Sequence, residues 1–187
     1  GSLQIEDYYR TDLHWRQDRL LPAAKTLAQA MGASVEEAFE TQTLARDYYG
    51  LYYGYAALPV KPETISYLTS DTIESAVVTN FETNRTGAVY DMEKAAGKNP
   101  YEMFLSGSVS LLTIENPNAK TDRELVIFRD SFASSLAPLL LDGYAKITLV
   151  DIRYLPSVRL GSFLTFTDQD VLFLYSVNVL NNSETIK

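Results

Sequence analysis

Two nearly unbroken apolar runs, Leu125–Phe128 (LVIF) and 147–150 (ITLV), flank the stretch FASSLAPLLLDGY. Apolar runs without polar alternation are the pattern of strands covered on both faces. The stretch between them has the length and leucine content of a helix. Strand, helix and strand in that order require a right-handed crossover and a parallel strand pair. The chain therefore belongs to the α/β class. Further strands are expected at 76–81, 88–90 and 171–177, with the two core strands at 125–128 and 147–152. Leu20, Ala24, Leu27, Ala28 and Met31 recur at helical spacing, which predicts a helix from Trp15 to Met31 with Gly32 as its stop. Pro22 inside that span implies a kink or a later start. Ser34 with Glu37 three residues on forms a capping-box pattern and predicts a second helix over 34–45. Residues 3–15 read as an extended or loop segment. Residues 47–58 carry five tyrosines and two glycines and read as an irregular segment over the core.

With 187 residues the chain reads as a single domain, 1–187. Gly1-Ser2 has the form of a tag-cleavage remnant, so a natural N-terminus, with any secretion signal, is expected upstream. Residues 180–187 read as a polar tail.

Composition then narrows the chemistry. There is no cysteine, which excludes disulfides, thiolate metal sites and cysteine nucleophiles. There is one histidine, His14, so a zinc site built from two or three histidines is excluded. Any step that needs an imidazole rests on His14. The net charge of -8 lacks the basic footprint of nucleic-acid binding. No apolar run approaches the roughly 18 residues of a transmembrane segment.

Ser131 follows the strand LVIFRD and precedes the helix, the crevice position where open α/β sheets bind ligands. Free backbone N–H groups at a helix start can also hold an oxyanion. The simpler reading of the position is that Asp130 or Ser131 is the helix N-cap. Asp12 and His14 are two residues apart, so an extended backbone turns both side chains to one side. A carboxylate on one imidazole nitrogen would orient the ring as a general base. A surface Asp–His contact leading into a helix fits the same spacing. Ser131 and His14 lie 117 positions apart, and catalytic sets are assembled in space in any chain order.

YYRTDLHW (8–15) resembles the YYRTDHHW block of the bacterial DHHW proteins, with Leu13 in place of the first histidine. LVIFRDSFASSLAPLLLDGYAKITLVDIRYL (125–155) resembles the second block of that family, and YEMFLSGSVSLLTIENPNA and DQDVLFLYSVNVL match it in character. The family is similar to SGNH hydrolase-like proteins of polysaccharide O-acetylation, including alginate acetylation proteins. The resemblance implies a three-layer, flavodoxin-like α/β domain with a mostly parallel sheet; family members carry a sheet-forming segment before the Asp-His block, which here is either truncated or supplied otherwise. It implies a serine esterase or O-acetyltransferase acting on a cell-surface or secreted carbohydrate, outside the cytoplasm, without metal or organic cofactor. Carried over by position, Ser131 is the nucleophile, His14 the base and Asp12 its orienter. Gly107 is the candidate for a second oxyanion donor, and Trp15 and Asp130 are further oxyanion- or substrate-binding candidates. Ser108 stands where SGNH enzymes have an asparagine, and Arg129 stands for the glycine of their GDS block. A non-catalytic glycan-binding or structural surface domain of the same fold is the rival reading.

The tyrosines at 48, 49, 52, 53 and 55 suit either a sugar-stacking platform or the edge of the core. Asp151 and Arg153 read as a structural pair at a strand end. Asp168 and Asp170 lack the pattern of a calcium loop.

Overall fold

A computed structural model describes residues 3–56 and 59–186. Gly1-Ser2, the last two residues of the tyrosine-rich segment and Lys187 lie outside the described residues.

Eight strands form among the described residues: β1 Glu40–Thr43, β2 Ser66–Thr69, β3 Val77–Asn80, β4 Arg85–Gly87, β5 Leu111–Glu115, β6 Glu124–Arg129, β7 Lys146–Val150 and β8 Asp170–Leu174. The α-helices are α1 Leu21–Ala30, α2 Leu51–Ala56, α3 Asp71–Ser75, α4 Met92–Ala95, α5 Ala133–Leu136 and α6 Val177–Asn181. The last six strands build one sheet in the order β4-β3-β5-β7-β6-β8, while β1 and β2 form a separate antiparallel pair. The unit from β6 through α5 to β7 is the expected crossover, with β6 and β7 parallel in the register Leu125↔Ile147.

The sheet as a whole corrects the expectation of a mostly parallel one. Of its five pairings, β4–β3, β3–β5 and β5–β7 are antiparallel, and β7–β6 and β6–β8 are parallel. The cause is connectivity. β3 and β4 join through a short turn that includes Asn84 at φ 51°, and such a turn can only give an antiparallel pair. β5 then lies antiparallel to both β3 and β7.

Alternation along β6 explains why the strand is apolar throughout. Leu125 and Ile127 face a core with Leu20, Ala24 and Ala28 of the first helical segment and Leu139–Leu141 of the crossover. Val126 and Phe128 face a second core with Val150, Leu155, Leu160 and Leu164. Both faces of the strand are thus covered, and β6 sits between two parallel neighbours.

Other elements depart from expectation for local reasons. Pro22 stands in the first turn of α1, where its missing N–H costs nothing, so the helix starts later and does not kink. Gly32 ends it at φ 73°. The capping-box pattern at Ser34 forms no helix. Asp142 accepts the backbone N–H groups of Glu36 and Glu37, and the Glu37 carboxylate accepts Ser70 Oγ. The polar, β-branched residues that follow pair with β2 as β1. The strand expected at 88–90 lies instead at Arg85–Gly87, and Tyr90 makes an isolated bridge to Phe104. The crossover helix keeps one α-helical turn and then tightens to a 3-10 helix, Ala137–Gly143, with Pro138 near its start. The tyrosine-rich segment holds α2, and the chain's polar end carries α6 and a 3-10 turn at Ser183–Thr185. No helix among the described residues is long and apolar enough to cross a membrane.

Candidate active site

The carboxyl ends of β6 and β7 and the start of β5 lie at one edge of the sheet, as the register Leu111↔Val150 and Phe128↔Val150 requires. Ser131 stands just beyond β6 at this edge. His14 arrives from the other end of the sequence, and its Nε2 lies 2.8 Å from Ser131 Oγ. Its Nδ1 lies 2.6 Å from Asp12 Oδ1. An ionised carboxylate can only accept, so Nδ1 carries the proton and Nε2 presents a lone pair to the serine hydroxyl.

Residues 8–15, expected as extended or loop, form a tight loop. Tyr8 bridges Trp15, and Tyr9 N–H donates to the His14 carbonyl. Asp12 and His14 still meet, because Asp12 Oδ1 also accepts the His14 backbone N–H at 3.0 Å. Aspartate favours such turns onto its own following backbone. Asp12 Oδ2 accepts Leu51 N–H, the first residue of α2, at 2.9 Å. Burial works against the Asp12 anion, but the His14 ring, Leu51 N–H and His14 N–H outweigh it and hold its pKa at about 2. Thr11 is held by Glu63, whose Oε2 accepts both its N–H and its hydroxyl at 3.1 Å.

Several supports had no sequence signal strong enough to find them. The Tyr101 ring stacks on the imidazole at 4.1 Å and 17°. The buried Ser135 hydroxyl joins the two halves of the site. It receives Trp15 Nε1–H at 2.8 Å and lies 2.9 Å from Tyr101 Oη. Trp15 also donates to the Phe132 carbonyl at 3.2 Å, and Gln17 Nε2 donates to Ser135 O at 2.8 Å. Trp15 is thus a buried strut between the histidine loop and the serine turn. Glu63, Gln17 and Ser135 were invisible because single polar residues carry no periodicity.

Asp130 is buried, and both its oxygens are used. Oδ1 accepts Phe132 N–H at 3.0 Å and Oδ2 accepts Ser176 N–H at 2.7 Å. It holds the serine turn against the segment after β8, so both oxygens serve the fold. Arg129 is fully buried and folds back, donating to Val109 O at 2.8 Å and Ser134 Oγ at 3.0 Å. Burial lowers its pKa against the opposing Asp151 carboxylate. An arginine thus occupies the place of a glycine by sending its side chain beneath the turn.

Gly107 lies in the loop before β5, on the site's edge of the sheet. It closes a left-handed run of Leu105, Ser106 and Gly107, at φ 53°, 59° and 83°. Among the described residues its hydrogen bonds reach Phe104 and Val109 and none joins it to Ser131 or His14. Asn116 and Asn118 follow β5 at the opposite edge, where Asn116 ties Leu141 O. That edge is a strand length away, roughly 15 Å. Asp151 is fully buried and holds Arg153 at 2.6 Å, a structural pair. Asp170 accepts Arg123 at 2.6 Å and Tyr144 Oη at 2.9 Å. Of the tyrosines, Tyr48 is core and Tyr55 is 81% exposed, so only part of the cluster joins the core.

No protein-family model and no curated protein matches the sequence. Solved structures do. A DHHW family protein from Eubacterium siraeum matches at TM-score 0.70 and 27% identity over 96% of this chain. Bacillus cereus PatB1 matches with a sulfonyl adduct at TM-score 0.67 and without it at 0.64, each at 19% identity over 94% of this chain. The chain spans 63% of the length of the DHHW structure and 63% or 64% of the two PatB1 structures. The likeness to DHHW proteins, carried in the sequence by YYRTDLHW and FRDS, therefore extends to the fold.

Proposed function

We propose that the chain is an SGNH-like serine esterase or O-acyltransferase that works on acylated carbohydrate, outside the cytoplasm, through an acyl-enzyme. The observation that carries this reading is the hydrogen-bonded line Asp12–His14–Ser131, with both outer contacts under 3 Å. Ser131 Oγ attacks the ester carbonyl and its proton passes to His14 Nε2. Asp12 fixes the tautomer and stabilises the imidazolium. The alcohol leaves with that proton, and water or a sugar hydroxyl then takes the acyl group by the reverse route. The Ser131 backbone N–H makes no hydrogen bond among the described residues and is available to the developing oxyanion. The sulfonyl adduct of the PatB1 structure is of the kind that sulfonylating reagents leave on an activated nucleophile, which supports the same chemistry here.

One observation favours the rival, a glycan-binding domain without catalysis: the Gly107 N–H already donates to Phe104 O at 3.1 Å and is not free for an oxyanion. Intact mass after a fluorophosphonate probe separates the two. A single adduct is expected, absent in Ser131→Ala and slowed at least a hundredfold in His14→Ala. No adduct between about pH 6 and 9 would leave the binding domain as the reading.

A further inference from the structure

Beside the Ser131–His14 pair lies a cavity of about 330 Å³ that the chemistry above does not use. Trp15, Phe132, Leu174 and Val177 form its mainly apolar lining, and Ser176 and Asn178 add polar groups. Two of these directly follow His14 and Ser131 in sequence. The Phe132 ring stands 5.0 Å from the imidazole and 5.1 Å from the indole, so the cavity wall touches the base itself. The walls are fixed to the nucleophile's turn. Asp130 holds Phe132 N–H and Ser176 N–H with its two oxygens, and Trp15 donates to Phe132 O. Val177, 70% exposed, begins α6 at the cavity.

We infer that this cavity is an acyl-chain pocket, taking the apolar tail of an acyl group longer than acetyl while its carbonyl sits at Ser131. The inference rests on the acyl-transfer reading above. Its volume is at the small end of the range of about 300–1,000 Å³ for ligand sites, which suits a short chain. The apolar lining decides which half of the substrate enters. Over the larger, apolar part of the wall a sugar would leave hydroxyls unpaired, at a cost for each, whereas methylenes gain by leaving water. In the acylation step the Oγ–C bond forms and the bond from carbonyl carbon to the leaving oxygen breaks. The serine proton moves through His14 Nε2 to that oxygen. The tail lies over Phe132 and away from the leaving alcohol, so the pocket keeps its occupant through the acyl-enzyme.

Alkanesulfonyl fluorides test this with no substrate in hand. Ser131 Oγ bonds to sulfur, the S–F bond breaks, fluoride leaves and His14 takes the proton. The rate of adduct formation is followed by intact mass for methane-, butane- and hexanesulfonyl fluoride, each normalised to its reaction with water. Buried methylenes contribute up to about fourfold each, so the butane reagent is expected to lead the methane reagent by tenfold or more. Val177→Trp and, separately, Asn178→Trp fill the cavity from its exposed side, and each is expected to collapse that ratio toward one. Equal normalised rates along the series in the unaltered protein overturn the pocket, as does a ratio that survives both substitutions. Labelling without chain-length dependence thus rejects the pocket alone. No adduct with any reagent rejects the acyl-transfer reading and the pocket with it.

Discussion

Asp12 spends its carboxylate on three partners, and that allocation has a measurable signature. Its pKa is held at about 2, below the ordinary value of about 3.9, so it favours folding wherever the unfolded chain's aspartate is ionised. This contribution of about 2 kcal/mol is complete above pH 4 and is lost as pH falls through about 2. Asp12→Asn is expected to flatten that part of the acid-unfolding curve, followed by circular dichroism. It is also expected to slow fluorophosphonate labelling at least a thousandfold, because an amide does not hold the imidazole in the same state. The neighbouring Gly50 tests the loop from outside. A Cβ there would fall on the Thr11 carbonyl oxygen and within 2.5 Å of Asp12 Cβ. Gly50→Ala is expected to cost about 1–3 kcal/mol in denaturant melts and to slow labelling in step.

Arg129 plays the corresponding part among the elements, because it joins the end of β6 to the loop before β5 and to α5. Arg129→Met keeps the volume and leaves Val109 O and Ser134 Oγ without their donor. A loss of about 2–6 kcal/mol in urea unfolding is expected, at about 1–3 kcal/mol for each of the two stranded groups. The role of this residue was beyond sequence reading, since an arginine in a turn looks like any solvated charge. The elements that were legible share one property, a local pattern that agrees with the tertiary environment. β6 and β7 announced themselves by apolar runs that need cover on both sides, and α1 by a spacing that matches its buried stripe. Failures came where distant partners decide. The Ser34–Glu37 pattern is a sound local start for a helix, yet Asp142 and Ser70 take the groups that would have served it. The direction of β3 and β5 follows from which strand each meets, which no window of residues encodes. The meeting of His14 and Ser131 was legible, because a lone histidine and a serine after an apolar strand are rare. Its supports at Tyr101, Ser135 and Glu63 were not.

At the scale of the whole molecule, stability is unevenly spread. The buried centre is β5, β7 and β6, whereas β1 and β4 are exposed along their length. Amide exchange is expected to be slowest at Leu125–Phe128 and 147–150 and fastest at Arg85–Gly87 and Glu40–Thr43, with a spread of several kcal/mol by mass spectrometry of peptides. Uniform protection across the sheet would contradict this ordering. The histidine loop belongs to neither extreme, since it is tied to the core through Trp15, Gln17 and Ser135. Because Asp12 and His14 share one turn and two hydrogen bonds, the proposed base and its orienter form a single cartridge. The fold has one long-range coordinate to set, the seating of that cartridge on Ser131. Under the proposed chemistry, a chain in which that seating fails keeps its strands and loses labelling at Ser131, a failure distinct from unfolding.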